Sequence, residues 1–531
     1  MDGTAATPAE GRHPGGRRPE GHRRRTVLRG AVAGVATAGL AGLALPGTAR
    51  AAGATSTGAG TDAGPTLYIA SDSTAQTYDP YYAPQAGWGE VLGQFFSETV
   101  TIANHAIGGR SSRSFIAEGR LQAILDQIQP GDYLFVQFGH NDATLSRPER
   151  YTPPADYKEF LRNDYIGGAR ARGAIPVVVT PVSRRDFNPT TGRFNVSFPE
   201  YVEKAIEVAA EENVPLVDLS ASSRAYLDGV GIEEARSLFL HVPPGVYPNR
   251  PYGTIDETHF QRYGALHVAR LIALDVARLD VPLARRVRNT APPRHRPDRP
   301  GAPTAGLVSH EGARLTWDEV PGADLYRIQR RRRHSDEEFT LATTSPIPLA
   351  DIGGLAEDTA YEVRVIAVNG RGQSAPSAKL RLATRPADLR YDFGPADSPV
   401  AEGFVGVSPE TLYTAERGYG FTDATNLISR DRGPGTDDLG RDFVAYFDGR
   451  YEFRTDVPNG TYAATAYVGD AAGSSRSGFV FEGGDRGQVI GSPNAVTRQT
   501  FTLIEVQDGQ LGVTVYGQTG HLNGLVITRV G

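Results

Sequence analysis

Cysteine is absent from all 531 residues of this chain. Without thiols the protein forms neither disulfide bridges nor thiolate metal sites, so hydrophobic cores and hydrogen bonds must stabilise it. The sequence also lacks an apolar run of the roughly 20 residues that a transmembrane helix needs. The chain is too long for a single core, and at usual domain sizes its length suffices for three domains.

The first 51 residues have the pattern of an export signal. Arg24 and Arg25 form a twin-arginine pair, an apolar run rich in small residues follows over Ala31–Leu45, and Ala49–Ala51 supply an A-x-A cleavage pattern. A disordered basic tail would explain the arginines but not the apolar run with its cleavage pattern. We therefore expect a twin-arginine signal peptide over residues 1–51, bacterial export to the extracellular space, and no membrane association after cleavage.

Net charge narrows the choice of partners. Without residues 1–51 the chain keeps 47 basic and 58 acidic side chains, a net charge of −11. Nucleic-acid binding requires a basic face, so we expect that the protein does not bind nucleic acid. A polyanionic substrate would have to be bound by local basic residues rather than by the overall field of the protein.

Residues 52–64 form a Gly/Thr/Ala linker, after which short apolar segments alternate with helical periodicity up to about Leu279. The candidate strands are Leu67–Ala70, Val100–Ala103, Tyr133–Phe138, Ile175–Thr180 and Pro215–Leu219. The candidate helices lie around Trp88–Phe96, Phe115–Ile128, Asp156–Arg172, Glu200–Glu212 and His259–Leu279. This alternation predicts a parallel, flavodoxin-like sheet in a three-layer α/β/α domain over residues 65–284.

The remainder of the chain has a different pattern. Residues 285–302 are rich in Pro and Arg and are typical of a linker. Residues 303–385 and 389–531 consist of short candidate strands between turns, which predicts two all-β sandwich domains.

Four polar clusters follow strands or begin a helix in the first domain. They are Ser71-Asp72-Ser73-Thr74, Asn104 to Ser112, Gly139-His140-Asn141-Asp142, and Asp256-Glu257-Thr258-His259 at the predicted start of the last helix. The carboxyl ends of parallel strands meet at one edge of the sheet, where open α/β sheets bind ligands. We therefore expect the four clusters to lie together.

These residue types suit acyl transfer, which needs a nucleophile, a base, a group that orients the base, and donors for the developing oxyanion. Ser73 fits the nucleophile, His259 the base, and Asp256, predicted on the same helical turn, the orienting acid. The oxyanion donors would be the backbone N–H groups of Ser73 and Gly109 and the side-chain amide of Asn141. This chemistry requires no metal and no cofactor.

Each residue also has a structural alternative when it is taken alone. Asp256 suits a helix N-cap and His259 a surface position in the first turn. Gly108-Gly109 and Asn141-Asp142 suit turns. The occurrence of all four clusters in order, each after the right element, favours the catalytic interpretation. His140 is expected to be structural, because one base suffices.

Residues 66–279 resemble an SGNH (GDSL-type) hydrolase, and within it the rhamnogalacturonan acetylesterase group. The matching segments are IASDSTAQTY, PQAGWGEVLGQFF, NHAIGGRSSRSF, EGRL, DYLFVQFGHND and DETHF. The resemblance maps the four signature residues onto Ser73, Gly109, Asn141 and His259, with Asp256 as the triad acid. One departure is Ser71, which stands where the family has the first glycine of GDS.

The later domains carry resemblances of their own. Residues 303–385 resemble a fibronectin type III domain through RLTWDEVPGA, GLAEDTAYEVRVIAVN and GRGQSAPS. Residues 389–531 resemble a galactose-binding-like β-sandwich through YDFGPADSPVAEGF, AERGYGF and HLNGLVI, which implies a carbohydrate-binding module. Its candidate sugar contacts are Tyr413, Tyr419, Phe421 and Asn523, although the aromatic residues would equally suit the sandwich core.

Several side chains near the first site are candidates for substrate binding. Trp88 suits either a pocket wall or the core. Arg110 and Arg184, together with Arg113 and Arg185, are candidates for pairing with a galacturonate carboxylate, although local salt bridges are an alternative use for arginine.

The resemblance implies a secreted, monomeric carbohydrate esterase that removes acetyl groups from plant cell-wall pectin, namely rhamnogalacturonan, through an acyl-enzyme. Two alternatives stay open. The first alternative is an acetylesterase that acts on xylan or another glycan, or a lipase-like esterase, although no long apolar lid segment flanks the site. The second alternative is a non-catalytic sugar-binding protein whose first domain has lost its activity, with Ser71 as the feature in its favour.

Overall fold

The computed structural model of the protein describes residues 64–433 and 437–530. The predicted signal peptide and the predicted linker up to residue 63 lie outside this range. Among the described residues, no helix is both long enough and apolar enough to cross a membrane.

The first region combines parallel strands with helices. Its strands are β1 (Thr66–Ser71), β2 (Thr101–Asn104), β3 (Tyr133–Gln137), β4 (Ile175–Val179), β5 (Phe187–Asn188), β6 (Arg193–Phe194), β7 (Leu216–Val217), β8 (Phe239–Val242) and β9 (Thr254–Phe260). Its helices are α1 (Trp88–Val91), α2 (Ser112–Ala117), α3 (Arg120–Leu125), α4 (Pro154–Phe160), α5 (Gly167–Arg170), α6 (Pro199–Glu211), α7 (Leu219–Ala235) and α8 (Arg262–Val276). Short 3₁₀ helices span Pro80–Tyr82, Leu92–Phe95 and Pro282–Arg286, and a π-helical segment, Leu161–Ile166, joins α4 to α5.

The central sheet has the order β2-β1-β3-β4-β7, and all of its pairings are parallel. Each of the five predicted strands is present, and the predicted α/β class is confirmed. The predicted helix over Phe115–Ile128 is instead two helices, because Gly119 adopts a left-handed conformation with φ of 72° between α2 and α3. Helix α7 was not predicted; it is broken at Gly231 and has no regular apolar period.

Two hydrophobic layers cover the two faces of this sheet. Successive strand side chains point to opposite faces, so Leu67 and Ile69 of β1 pack in a core with residues of α1, α7 and α8. Tyr68 and Ala70 pack on the other face with residues of α2, α3, α4 and α6. The result is the three-layer arrangement that the alternating sequence predicts.

Residues after this region form two all-β regions. The first contains β10 (Thr304–Gly306), β11 (Ala313–Thr316), β12 (Leu325–Arg332), β13 (Thr340–Ser345), β14 (Leu349–Ile352), β15 (Ala360–Asn369), β16 (Gly372–Gln373) and β17 (Leu380–Ala383). Sheet β10-β11-β14 faces sheet β13-β12-β15-β16, with β17 paired to β15. Trp317 is buried between them against Tyr326, and the Tyr361 hydroxyl accepts the Ala356 N–H at 2.7 Å.

The second all-β region contains two five-stranded sheets. Its strands are β18 (Leu389–Phe393), β19 (Val405–Val407), β20 (Tyr419–Phe421), β21 (Ile428–Asp431), β22 (Asp442–Ala445), β23 (Gly449–Asp456), β24 (Gly460–Gly469), β25 (Ser475–Phe481), β26 (Gly484–Gly491), β27 (Val496–Val506), β28 (Gln510–Gly517) and β29 (Gly524–Arg529). The sheets have the orders β19-β18-β29-β24-β27 and β20-β23-β28-β25-β26, and a shared aromatic core fills the space between them.

Candidate active site

Ser73, Gly109 and Asn141 follow β1, β2 and β3 at the carboxyl edge of the parallel sheet. His259 reaches the same edge from β9, and its Nε2 lies 2.9 Å from the Ser73 Oγ. Residues that are 186 positions apart in the chain are thus within hydrogen-bond distance. The parallel sheet explains the position of the first three residues, whereas His259 arrives by a different element.

That element is a strand and not the start of a helix, so the predicted placement of Asp256–His259 on a helical turn is wrong. β9 pairs antiparallel with β8, and the pairing shifts between Phe239 and Leu240, which oppose Phe260 and Asp256. The shift leaves residues 257–259 as a bulge, a feature that redirects side chains at active sites. Helix α8 begins only at Arg262.

Asp256 holds this bulge together and also orients the imidazole. Its Oδ1 accepts the backbone N–H groups of Thr258 at 2.7 Å and His259 at 2.9 Å. Its Oδ2 lies 2.7 Å from His259 Nδ1. Because Nδ1 donates to the carboxylate, the unprotonated Nε2 faces the Ser73 hydroxyl.

The electrostatics of this pair make the His259 imidazole a stronger base. Burial lowers the pKa of His259, but the hydrogen bond and negative charge of Asp256 outweigh burial, so the pKa lies above its usual 6.5. Burial alone would raise the pKa of Asp256, yet its hydrogen bonds with His259 and Thr258 lower that pKa to about 2. Asp256 therefore stays ionised beside a histidine that can accept a proton.

Possible oxyanion donors surround the Ser73 hydroxyl. Gly109 has a φ of 79°, which favours glycine, and a Cβ added at Gly108 would lie 3.4 Å from the Ser73 Cβ. Within residues 64–433 and 437–530, the backbone N–H groups of Ser73 and Gly109 donate to no protein acceptor. The Asn141 amide donates to the Arg110 carbonyl at 3.0 Å, which fixes its orientation and leaves its second hydrogen available.

Buried polar groups beneath the site hold the nucleophile turn. Asp72 accepts the backbone N–H and hydroxyl of Thr74 at 2.9 and 2.8 Å. The second Asp72 oxygen lies 3.6 Å from His140 Nδ1. Burial lowers the pKa of His140 to about 4, so this ring is neutral and matches the structural role expected for it.

Asp142 fixes the loop that carries Asn141. It is fully buried, and it accepts the backbone N–H and hydroxyl of Ser112 and the N–H of Gly139. Burial raises the pKa of Asp142 to about 6. These bonds link the loops after β2 and β3 into one unit.

Ser71, the departure from GDS, lies at the end of β1 and pairs with Gln137 of β3. Its backbone has no positive φ, so the position does not require glycine for conformational reasons. The Ser71 hydroxyl is buried and has no hydrogen-bond partner among the described residues.

The candidate substrate contacts of the first region differ in their surroundings. Trp88 is fully buried, and its Nε1 donates to Gln137 Oε1 at 2.8 Å, so it belongs to the core and not to a pocket wall. Arg110 is engaged by Glu118 at 3.1 Å and by the Gly108 carbonyl. Arg184, in contrast, has no carboxylate partner among the described residues, and its charge lowers the pKa of His259.

Two further residues beside the site were not predicted. The Tyr78 hydroxyl donates to the Ser73 carbonyl at 2.8 Å, and Tyr78 was visible only as the last letter of the segment IASDSTAQTY. Arg150 Nη1 lies 3.8 Å from the Cβ that Gly109 lacks. Arg150 stands in an irregular loop, so no periodicity or motif marked it.

In the last region, the candidate sugar contacts are mostly internal. Asn523 is fully buried, and it accepts the Gly469 N–H and donates to the Asp442 carbonyl, so its predicted role in sugar contact is wrong. Phe421 is also fully buried. Tyr419 is partly exposed and packs on Tyr391 with ring centroids 5.2 Å apart.

The first region is thus a parallel α/β sheet with a hydrogen-bonded chain of Ser73, His259 and Asp256 at its carboxyl edge, an arrangement that could support ester hydrolysis. The chain belongs to the GDSL-like lipase/acylhydrolase family, whose model matches residues 72–250. A fibronectin type III model matches residues 298–382, and a model of the beta-agarase/YXIM esterase-like, galactose-binding domain-like family matches residues 389–526. The protein is a carboxylic ester hydrolase with two appended β-sandwich domains.

Curated relatives from Bacillus subtilis match the first region. The chain is 45% identical over 218 residues to a probable rhamnogalacturonan acetylesterase, YesY. The aligned residues make up 41% of this chain and 94% of YesY. The chain is 43% identical over 217 residues to the rhamnogalacturonan acetylesterase RhgT, covering 41% of this chain and 91% of that protein. A crystal structure of the B. subtilis protein YxiM aligns with a TM-score of 0.36 and 32% identity, covering 40% of this chain and 56% of that one.

Proposed function

We propose that this protein is a secreted carbohydrate esterase that removes acetyl groups from rhamnogalacturonan in plant cell-wall pectin. The observation that carries the proposal is the continuous chain from Asp256 Oδ2 through His259 to Ser73 Oγ, with distances of 2.7 and 2.9 Å. The two relatives named as rhamnogalacturonan acetylesterases support the choice of substrate.

In the proposed reaction Ser73 Oγ attacks the acetyl carbonyl while His259 Nε2 takes its proton. Asp256 stabilises the imidazolium that forms, and His259 then gives the proton to the sugar oxygen that leaves. Water, activated by the same imidazole, attacks the acetyl-enzyme and releases acetate. The N–H groups of Ser73 and Gly109 and the Asn141 amide would stabilise the oxyanion in both halves of the reaction.

Two arginines beside the site support an acidic polysaccharide as the substrate. Arg150 lies next to Gly109, and Arg184 lies close enough to His259 to influence its pKa. Neither has a carboxylate partner within the described part of the chain, and the Nε of each is buried without a hydrogen bond. A galacturonate carboxylate would supply the missing partner, because guanidinium groups bind carboxylates through paired hydrogen bonds.

We also propose export through the twin-arginine route, supported by the pattern over residues 1–51 and by the polymeric substrate, and action as a monomer. Cell fractionation of the full-length protein, with Arg24 and Arg25 each replaced by Lys, tests the export route. Retention of the variant inside the cell would support it, and unchanged secretion would contradict it.

An acetate-release panel tests the activity. The enzyme is expected to release acetate from acetylated rhamnogalacturonan faster than from acetylated xylan or a long-chain ester. Ser73→Ala should reduce kcat by a factor of about 10⁶, because a triad acts as a unit. Ser146→Ala, an exposed serine of the same domain, is the matched control and should retain full activity.

Variants of the two arginines test the substrate separately from the chemistry. Arg150→Gln and Arg184→Gln should each raise KM for acetylated rhamnogalacturonan by about tenfold, with little change for a small neutral acetate ester. An equal effect on both substrates would contradict a role in carboxylate binding.

A further inference from the structure

A second cavity lies where the three regions of the described chain meet, and it is distinct from the Ser73 site. We call it the junction cavity. Its volume is about 580 Å³, within the ~300–1,000 Å³ of typical small-molecule sites. Its lining includes His241 and Tyr252 of the hydrolase region, Arg330 and Gly354 of the fibronectin-like region, and Arg486 and Arg498 of the last sandwich. Three carboxylates, Glu233, Glu311 and Asp351, also belong to the lining. No member of the Ser73–His259–Asp256 chain lines it.

Two arginines from different domains face the same point of this cavity. A Cβ added at Gly354 would lie 3.0 Å from Arg498 Nη2 and 3.8 Å from Arg330 Nη2. Glu311 Oε2 is 3.6 Å from Arg498 Nη1, while the other oxygen of Glu311 accepts hydroxyl hydrogen bonds. Arg330 donates to the Gly354 carbonyl and has no carboxylate partner among the described residues. Glu311 offsets part of the charge of Arg498 but not that of Arg330, so a bound anion would reduce the repulsion between the two guanidinium groups.

A third arginine is fixed in the cavity wall without a counter-charge. Arg486 is only 6% exposed, and its Nη atoms donate to the carbonyls of Thr502 and Leu503 at 3.0 Å each. Its guanidinium stacks on the ring of Tyr252 at 4.5 Å. The Arg486 Nε is buried and has no hydrogen-bond partner in the described part of the chain. A buried, unpaired cation is costly, and a bound anion would remove that cost.

The rest of the lining suits a ligand that carries hydroxyl groups. Thr343, Thr500 and Thr502 contribute polar atoms, and Tyr252 contributes a partly exposed aromatic ring. Hydroxyl and backbone groups bind sugar hydroxyls, and arginine binds carboxylates. Together these groups match a small sugar acid better than an apolar ligand.

We infer that the junction cavity is a second binding site, for a carboxylate-bearing oligosaccharide, built by residues of all three regions. The choice of a uronic acid as the sugar rests on the proposed function. The existence of the cavity and the position of its arginines are independent of that function. The cavity wall includes Thr254 and Ile255 of β9, the strand that also carries Asp256 and His259. A pectic chain held here would keep the enzyme on its polymer, next to the strand that supports the reacting groups.

The test is calorimetric titration of the full chain carrying Ser73→Ala with unacetylated trigalacturonate. Arg330→Gln and Arg498→Gln, each added to this inactive chain, should weaken one binding event by at least about tenfold. Arg498 is half exposed, so its variant is expected to fold even if the Arg330 variant does not. Arg193→Gln, at a side chain that is 78% exposed and is not part of the cavity lining, is the matched control and should leave binding unchanged.

Three results would overturn the inference: no binding by the parent chain, unchanged binding by both cavity variants, or equal binding of neutral galactotriose. Because the titrations use an inactive chain, failure of the proposed esterase activity would not alter them. With Ser73 restored, both cavity variants should hydrolyse a small neutral acetate ester at the parental rate. A loss of that activity would mean that the variants disturb the fold, and would contradict a separate site.

Discussion

Replacing Asp256 by Asn changes the charge of one side chain while preserving its shape. The Asn Oδ1 would still accept the backbone N–H groups of Thr258 and His259, so the bulge should persist. The Asn NH₂ group would then face His259 Nδ1, which must become an acceptor. The ring proton is thereby forced onto Nε2, the atom that faces Ser73 Oγ at 2.9 Å.

A histidine protonated on Nε2 cannot take the proton of Ser73. We expect kcat for acetate release to fall by about 10⁴, the size of effect seen when a triad acid becomes an amide. This corresponds to about 5.4 kcal/mol of transition-state stabilisation. The variant also lacks the negative charge that raises the pKa of His259, so that pKa should be lower than in the parent protein.

The assay is acetate release from a small neutral ester, measured as kcat and KM over a range of pH. Asp126→Asn is the matched control, because Asp126 is an exposed carboxylate of the same domain that accepts only a local Gln122 bond at 2.6 Å. The control should keep the parental rate. A kcat for Asp256→Asn within tenfold of the parent, in a folded chain, would refute the reasoning about the tautomer.

Four further outcomes are expected. Asn141→Ala should lower kcat by about 10²–10³ with little change in KM, and a change confined to KM would argue against an oxyanion donor. The kcat/KM for a neutral ester should fall as pH drops through the raised pKa of His259, with a midpoint above 6.5, and a midpoint well below that value would contradict the pairing with Asp256. Ser71→Gly should change kcat by less than about threefold, because it removes a hydroxyl that has no partner and needs no new backbone conformation, and a large loss would show that the serine is required. Trp88→Phe should lower the free energy of unfolding by about 2–4 kcal/mol in a denaturant titration, since it leaves a gap and removes the 2.8 Å donor to the Gln137 oxygen, which keeps only a 3.5 Å bond from the Thr74 hydroxyl; an unchanged midpoint would contradict its place in the core.

The sequence predicted the fold of the first region well, for identifiable reasons. The strands are buried on both faces and therefore read as continuous apolar runs such as Leu67–Ala70 and Tyr133–Phe138. The strands alternate with helical segments, and strands joined through helices pair in parallel by right-handed crossovers. A parallel sheet could therefore be predicted. Helix α7 was not predicted, because its sequence, with Gly229 and Gly231, lacks a regular apolar stripe.

The site was predictable where it depends on the sheet and not where it depends on irregular backbone. Ser73, Gly109 and Asn141 follow strands, and strand ends can be located from hydrophobic pattern. The bulge in β9 depends on its pairing with β8, a long-range contact that local pattern does not encode. The partners of arginines are not encoded in local pattern either, which is why Arg150 was not identified and why Glu118 was not named as the partner of Arg110, although a salt bridge was an open alternative for it.

Buried polar residues in the last sandwich show the same limitation. Asn523 lies in HLNGLVI, a segment that resembles part of a galactose-binding-like β-sandwich, yet its amide connects Gly469 to Asp442 inside the domain. Sequence pattern identifies such a polar residue but not whether its partners are protein groups or a ligand.

The most direct test of the central claim is covalent labelling of the full chain with an organophosphonate ester, followed by peptide mass spectrometry. The account predicts one adduct, on the peptide that contains Ser73, formed together with loss of esterase activity and abolished by His259→Ala. An active enzyme that gains no adduct on Ser73, or that labels His259→Ala at the parental rate, would contradict it.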